Sequence, residues 1–277
     1  MPVSEIRTIE DIKFVKSVEL VPRKEGGVED ILEAVDILGS SANFLTSPEN
    51  PMGKPGIDPV MSLYLASRNS NFIVMPHITP RDKNSLFVYS QVLTALKFGI
   101  NHFFIIGGDP IDQTIGAKEV REMDVMGMIS AISGEDGYVK RQNGYGNSIR
   151  LGAALNPYRE QEPEIAGKKL EAGSNFFISQ ILYESQWLKK DWVKERKFKV
   201  VAGFFPLRKK SQLKFVKKMH VPVSEEVENR IENSDNVAET SRKLILDTID
   251  DLKGYIDGVH IMPIGHNEIA RDILESV

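Results

Sequence analysis

The sequence lacks cysteine and has no long apolar run. None of its 277 residues is a cysteine, which excludes disulfides, thiolate metal sites, iron–sulfur clusters and cysteine nucleophiles. A membrane helix needs about 18 consecutive apolar residues or more, and no run in this sequence is that long. The first residues are charged and contain no signal-peptide core, so we expect a cytoplasmic protein with no membrane partner.

The sequence also lacks a basic excess and a compact set of histidines. Lysine and arginine total 35 against 39 acidic residues, a balance that does not suit nucleic acid as a partner. The five histidines are scattered, so we expect no dedicated transition-metal site. Hydrophobic residues make up 41% of the chain and charged residues 27%, which is typical of a folded globular protein.

Eight short apolar runs alternate with amphipathic stretches along the chain. The predicted strands are Phe14–Val21, Ala42–Thr46, Asn71–Ile78, His102–Ile106, Ile149–Leu155, Asn175–Tyr183, Lys199–Phe205 and Gly258–Ile264. Parallel strands need long crossovers, so this order indicates a parallel sheet. Eight units predict a closed (β/α)8 TIM-type barrel, as one domain over residues 1–277. An open doubly wound sheet is the alternative, disfavoured because no GxGxxG follows the first strand.

Helix patterns lie between the predicted strands. One helix is predicted around Ala117–Ile132, and a longer helical section spans about Lys209–Lys253. A polar, glycine-rich stretch over residues 133–148 is predicted as a loop.

Polar residues recur where the predicted strands end, and the catalytic groups of such barrels collect at that end. They are Glu19, Thr46, His77, Asp109, Asn156, Gln180 and His266. Glu19 is unusual because Leu20, Val21 and Pro22 still follow it in an apolar run. We expect burial there, which raises a carboxyl pKa and suits a general acid near neutral pH.

The local sequence around the fourth and sixth predicted strands bears on several of these positions and on Lys169. Gly107 and Gly108 precede Asp109 and let a flat ligand approach the backbone, although such a turn is often only structural. Gln180 closes an apolar strand, where its amide needs partners and suits a heterocycle edge. Lys169 lies on an amphipathic helix and is, by default, a solvated surface lysine.

The ordered strand-end segments resemble the methylenetetrahydrofolate reductase family. The matching segments are Ser17–Pro22, Phe44–Thr46, Pro76–Thr79 with Arg81 and Asp82, Gly108–Pro110, Gly152–Ala154 with Asn156 and Pro157, Lys169 with Glu171–Gly173, Phe176–Gln180 and Gly203–Leu207. The similarity runs from about residue 14 to the C-terminus. The resemblance implies a barrel that binds FAD and reduces 5,10-methylenetetrahydrofolate, or a related pterin, to its 5-methyl form with NAD(P)H as hydride donor.

The resemblance also assigns roles to residues. Glu19 and Asp109 would be catalytic, Glu19 as the acid that opens the folate's five-membered ring. The substrate-binding positions would be Glu19, Asp109, Gln180 and Gln212. The cofactor-binding positions would be Thr46, His77, Gly107, Gly108, Asp109, Asn156 and Lys169.

The sequence departs from the family pattern at several points. Gly107 stands where many members have arginine, and the segment between Asn156 and Lys169 is short. One alternative is therefore a non-catalytic or flavin-free member acting as a subunit of a larger reductase. Another is a barrel lyase or aldolase using Glu19, His77 and Asp109, although no lysine ends a predicted strand. Because helical surfaces of barrels often pair, a homo-oligomer is a mild expectation.

Overall fold

A computed structural model describes residues 7–23, 25–134, 137–143 and 149–277. Within these ranges the strands are β1 (Val15–Glu19), β2 (Phe44–Ser47), β3 (Ile73–Ile78), β4 (His102–Ile105), β5 (Arg150–Leu155), β6 (Phe176–Ile181), β7 (Lys199–Phe204) and β8 (Gly258–Ile261). The helices are α1 (Glu29–Leu38), α2 (Pro59–Arg68), α3 (Ser85–Lys97), α4 (Val125–Ser133), α5 (Tyr138–Asn143), α6 (Glu162–Ala172), α7 (Asp191–Lys194), α8 (Lys210–Lys218), α9 (Glu225–Glu232), α10 (Val237–Asp251) and α11 (Asn267–Leu274).

The eight strands form a closed barrel in chain order. Each strand pairs in parallel with the next, and β8 returns to pair with β1. The prediction of a (β/α)8 barrel is confirmed, and the open-sheet alternative is wrong. The register places Glu19 opposite Thr46 and Ser17 opposite His260, so the ends of β1, β2 and β8 are neighbours at the barrel mouth.

Two of the three apolar clusters among the described residues lie on the two faces of the barrel strands. The larger core packs the outer strand face against the helices, and includes Val18, Leu45 and Phe177. The inner core fills the lower barrel with side chains that alternate with these: Val15, Phe44, Met75, Phe104, Phe176, Ile178 and Val201. Alternation along each strand therefore leaves its last inward residue at the mouth.

The chain before β1 closes the lower end of the barrel. Ile9 and Ile12 are buried in the inner core. The Ile9 N–H donates to Nε2 of the buried His102, at 3.1 Å. Burial lowers the pKa of His102 to about 3, so the ring is a neutral acceptor there. These contacts separate the interior from solvent at the end opposite the mouth.

Two predicted helical sections differ from the structure. The helix expected around Ala117–Ile132 begins only at Val125, with the Asp124 side chain as its N-cap. The residues before α4 pass over the loop that follows β3. There the N–H groups of Val120 and Arg121 donate to the carbonyl of Arg81. Those long-range bonds replace the helical ones that the pattern predicted.

The section predicted as helical over Lys209–Lys253 is divided into α8, α9 and α10. Ser224 and Asn236 each cap the start of a new helix through their side chains, which compete with a continuous helix. The loop predicted over residues 133–148 contains α5, and residues 135, 136 and 144–148 lie outside the described ones. None of the described helices is long and apolar enough to cross a membrane.

Candidate active site

Glu19 is the last residue of β1 and lies half-buried at the barrel mouth. Burial, and secondly the negative charge of Asp109, raise its pKa to about 7. Glu19 ends β1 and Asp109 follows β4, so both lie at the C-terminal end of the barrel strands. A carboxyl with a pKa of about 7 is about half protonated at neutral pH, so it can donate a proton there.

Thr46 and His77 lie beside Glu19 and carry buried polar atoms without partners. Thr46 Oγ1 and both ring nitrogens of His77 have no hydrogen bond. His77 packs edge-on against Phe104, with ring centroids 5.0 Å apart. Burial, with a smaller contribution from His260, lowers the pKa of His77 to about 3. Unsatisfied groups of this kind are uncommon in protein interiors, and here they offer bonds to a ligand's polar edge.

His260 and Ser17 lie one layer below these residues and were not predicted from the sequence. His260 Nδ1 and Ser17 Oγ are 2.9 Å apart, and both residues are buried. Burial lowers the pKa of His260 to about 4, so the imidazole is neutral at pH 7. The only sequence signal was a histidine inside the apolar strand β8, at an inward-facing position.

Asp109 is exposed just beyond β4. Its Oδ2 accepts a hydrogen bond from the N–H of Met52 in the β2–α2 loop, at 2.8 Å. Gly108 has φ +74, and a Cβ there would lie 3.2 Å from Thr79 Cγ2. Glycine at 108 is therefore required by the protein's own packing. At Gly107 a Cβ would meet only Val125 Cγ2, at 3.9 Å, so there is room beside this residue.

Arg81 lies beneath Asp109 and is the largest of the fully buried side chains. Its Nη1 donates to the main-chain carbonyl of Asp109 at 2.6 Å. Its Nε and Nη2 donate to the carboxylate of Asp82. Arg81 and Asp82 belong to the segments that resemble the reductase family, but the resemblance assigns neither residue a role.

A second buried charge pair joins the β2–α2 and β3–α3 loops. Lys83 Nζ donates to both carboxylate oxygens of Glu49 and to Gln91 Oε1. Glu49 also accepts from the N–H and hydroxyl of Thr79, at 2.8 and 3.0 Å. Burial lowers the pKa of Lys83, against the opposing effect of Glu49. Nothing in the loop sequences indicated this network, because its partners are about 30 residues apart.

Two predicted cofactor positions on β5–α6 are engaged within the protein. Lys169 is only 9% exposed, so its description as a solvated surface lysine is wrong. Its Nζ donates to the Ala154 carbonyl at 2.5 Å and lies 3.9 Å from Glu162 Oε1. Burial lowers the pKa of Lys169, although Glu162 acts in the opposite direction. Asn156 Oδ1 accepts from the N–H of Tyr158 at 3.1 Å, forming a local turn.

The two predicted substrate amides also use their oxygen atoms locally. Gln180 Oε1 accepts from the N–H of Ile181 at 2.9 Å, where the β6–β7 pairing shifts register. Gln212 Oε1 accepts from the N–H groups of Arg208 and Lys209 at 2.7 and 3.0 Å, which caps α8. Each amide therefore has its NH2 end to offer a ligand.

The structure places Glu19, Thr46 and His77 at the ends of the neighbouring strands β1, β2 and β3, with Asp109 exposed in the loop after β4 at the same end of the barrel. Among the described residues there is no group of three or more potential metal ligands. The groups available for chemistry are thus a protonatable carboxyl, a neighbouring carboxylate, two neutral imidazoles and unsatisfied polar atoms.

Comparison with protein families decides how this site is classified. The sequence profile described as methylenetetrahydrofolate reductase matches residues 5–277. The chain belongs to that family. The resemblance read from the strand ends is thereby confirmed over almost the whole chain. A comparison with curated protein sequences found no match.

Solved structures similar to this reductase-family chain share its barrel at low sequence identity. A protein from Clostridium thermocellum, described as binding two copies of 5-methyl-5,6,7,8-tetrahydrofolic acid, is 14% identical with a TM-score of 0.71, covering 96% of each chain. An aldolase, QR15, is 14% identical with a TM-score of 0.52 and 97% of each chain covered. A 2,3-dimethylmalate lyase is 10% identical with a TM-score of 0.53, covering 96% of this chain and 82% of the other. At these identities the likeness shows the fold alone.

Proposed function

We propose that this chain binds a reduced folate, or a related pterin, at the barrel mouth. In this proposal it reduces the 5,10-methylene form to the 5-methyl form, with FAD carrying the hydride and NAD(P)H supplying it. The observation that carries the proposal is Glu19 at the barrel mouth, paired with Thr46 across β1 and β2, together with the buried polar atoms of Thr46 and His77 that have no hydrogen-bond partner. Family membership supports a folate-related reductase. The folate bound by the Clostridium thermocellum protein supports a folate as ligand.

Each side chain has a distinct task in this proposal. Glu19 donates its proton to a ring nitrogen of the folate, so that the bridging five-membered ring opens and its carbon becomes electrophilic. The Asp109 carboxylate stabilises the positive charge that develops on that carbon. The amide NH2 of Gln180 binds the pterin edge. Thr46 and His77 satisfy their buried polar atoms on the bound heterocycle.

The residues present fit FAD only in part. The room beside Gly107 and the unpartnered atoms of Thr46 and His77 fit the edge of a flavin ring. Asn156 and Lys169, assigned to the cofactor by resemblance, are instead bonded within the protein. A bound flavin would accept a hydride from the nicotinamide and pass it to the folate carbon. The chain's own groups hold the reactants and supply the proton.

The absorbance spectrum of the purified protein tests the cofactor, and product analysis tests the reaction. We expect a flavin band and, with NAD(P)H and methylenetetrahydrofolate, formation of 5-methyltetrahydrofolate detected by chromatography. If calorimetry shows no binding of either methylene or methyl folate, the proposal is wrong. Folate binding without flavin or turnover would reject the reductase and leave a binding subunit.

A flavin-free member acting as a subunit is the second candidate, favoured by the engagement of Lys169 and Asn156. We expect Lys169→Gln to reduce the free energy of unfolding by about 1–3 kcal/mol, because it removes the buried ammonium that donates to the Ala154 carbonyl. We expect FAD affinity, measured by fluorescence titration, to be unchanged within error. Lys168→Gln is the matched control, since Lys168 is exposed on the same helix and pairs with Glu164. A loss of FAD affinity specific to Lys169→Gln would contradict this and restore its cofactor role.

The lyase or aldolase alternative receives no support from the lysines. The described strand lysines, Lys16 and Lys199, donate to the carbonyls of Leu274 and Ile12, away from the mouth. A Schiff-base mechanism needs a lysine at the reacting centre. The aldolase found by structural comparison shares the fold alone.

A further inference from the structure

Arg81 binds the main chain at Asp109 rather than its carboxylate. Its side chain is 1% exposed and lies just beyond β3, between the loops that follow β2 and β4. Nη1 is 2.6 Å from the Asp109 carbonyl oxygen. The carbonyl of Asn50, in the β2–α2 loop, lies at the outer limit of hydrogen bonding from the same guanidinium, at 3.5 Å. Arg81 therefore fixes the position of the backbone that carries Asp109.

The positive charge of Arg81 is taken up by a different residue. Asp82 accepts from both Nε and Nη2 in a bidentate pair, the arrangement that suits a guanidinium best. The Asp109 carboxylate, in contrast, accepts from the neutral N–H of Met52. Among the described residues the Asp109 carboxylate forms no direct salt bridge, and its negative charge raises the pKa of Glu19.

The β2–α2 loop is packed tightly against the β4–α4 loop around this point. A Cβ on Gly53 would lie 1.9 Å from the Pro110 carbonyl oxygen, so the two backbones are in direct contact. The Asp112 N–H donates to the Gly53 carbonyl at 3.0 Å. Asn50 and Met52 have φ angles of 44° and 56°, which lie in the left-handed region that residues other than glycine rarely adopt. Strain of this kind persists only where surrounding contacts determine it, and Arg81 lies beneath this loop.

We propose that Arg81 is a positioning residue for Asp109: it fixes the Asp109 main chain at the barrel mouth while Asp82 takes up its charge, so that the Asp109 carboxylate is left to act on Glu19 at the end of β1. The assignment rests on the proposed function only in giving Asp109 and Glu19 a catalytic purpose. The placement itself depends on the contacts of Arg81 alone.

Other charged and titratable groups surround Asp109 and Glu19. Glu49 and Asp82 add negative charge on the Arg81 side, and Lys83 is held by Glu49. On the interior side His77 and His260 are neutral at pH 7, because burial lowers both pKa values below 5. Among the described residues, Asp109 is the charge that raises the pKa of Glu19, in addition to the larger effect of burial. Displacing Asp109 should therefore be visible in the titration of Glu19.

The test is Arg81→Lys, read by NMR titration of Glu19 in protein carrying 13C-labelled glutamate. Lysine keeps the charge but cannot bind Asp82 and the Asp109 carbonyl together. We expect the Glu19 midpoint, about 7 in the wild type, to fall by roughly half a unit to one unit as Asp109 moves away. Asp109→Asn removes this charge altogether, so it gives the largest fall in the Glu19 midpoint that loss of the charge can produce.

Arg196→Lys is the matched control. Arg196 is also buried, with a side chain 7% exposed, and it binds Asp257 and the Val193 carbonyl near the opposite end of the barrel. We expect a similar loss of thermal stability in both variants, but a shifted Glu19 midpoint only in Arg81→Lys. If both variants shift the midpoint equally, or neither does, the proposal is overturned.

If Arg81→Lys does not fold, Asp82→Asn provides a second test. This nearly isosteric change leaves the Arg81 charge uncompensated beside Asp109, so the Glu19 midpoint should also fall. An unchanged midpoint in folded Asp82→Asn protein would overturn the proposal. Because the titration needs no substrate, a shifted midpoint in a protein that reduces no folate would reject the proposed function alone.

Discussion

Glu19→Gln is expected to lower the rate of methylenetetrahydrofolate reduction by about 10² to 10⁴-fold, the usual contribution of a positioned general acid. Glutamine preserves the size and polarity of the side chain but has no acidic proton. The affinity for the folate should change only a few-fold, because its shape and other contacts remain. Rapid-mixing measurements of the two half-reactions separate these effects.

The reduction of a bound flavin by nicotinamide should survive in Glu19→Gln, since that step needs no proton from Glu19. Glu160→Gln, an exposed glutamate beyond β5, is the control and should leave both half-reactions unchanged. If Glu19→Gln slowed both half-reactions equally, its assigned role as acid for the folate would be wrong. The wild-type folate step should also slow as pH rises through about 7, where Glu19 loses its proton.

The same substitution should alter the pH dependence of stability. The pKa of Glu19 is about 7 in the folded protein, against an ordinary value of 4.5. Between these values the folded state holds a proton that the unfolded state has released, so wild-type stability falls as pH rises from about 4.5 to 7. Below this window Glu19 is protonated in both the folded and the unfolded state, so it does not lower the free energy of unfolding. Above it the full cost of an ionised, half-buried carboxylate remains.

Glu19→Gln should therefore be about as stable as wild type at pH 4 and more stable by about 2 kcal/mol at pH 8. Each unit of pKa shift corresponds to about 1.4 kcal/mol of stability. The expected difference is smaller than the full shift would give, because solvent reaches the half-buried carboxyl. Urea unfolding at a series of pH values measures the difference. A difference that is constant across pH would show that Glu19 has an ordinary pKa in the folded state.

The barrel and Glu19 could be predicted because their signals are local. Each strand is a short apolar run, and eight such runs with helical stretches between them leave few other architectures. Glu19 was identified because a carboxylate inside an apolar run must be buried. His77 was singled out by its position at the end of a predicted strand, and strand alternation turns it into the interior.

The other site residues depend on partners far along the chain. Lys169 has the sequence context of a surface lysine, and only the position of the Ala154 carbonyl makes it a buried donor. Arg81 and Glu49 follow strands, but their roles come from contacts with loops about 30 residues away. The N-terminal part of the predicted helix at Ala117–Ile132 is irregular instead, because the N–H groups of Val120 and Arg121 are bonded to the Arg81 carbonyl. No periodicity in a single sequence encodes such pairings.

The closure of the lower barrel by Ile9 and Ile12 has a kinetic consequence. With apolar side chains filling that end, the mouth is where reactants approach Glu19 and also where products depart. Under the proposed function, a nicotinamide and a pterin would both bind beside this carboxyl. The nicotinamide would then have to dissociate before the pterin binds, which predicts that the two reactants bind one after the other in each turnover.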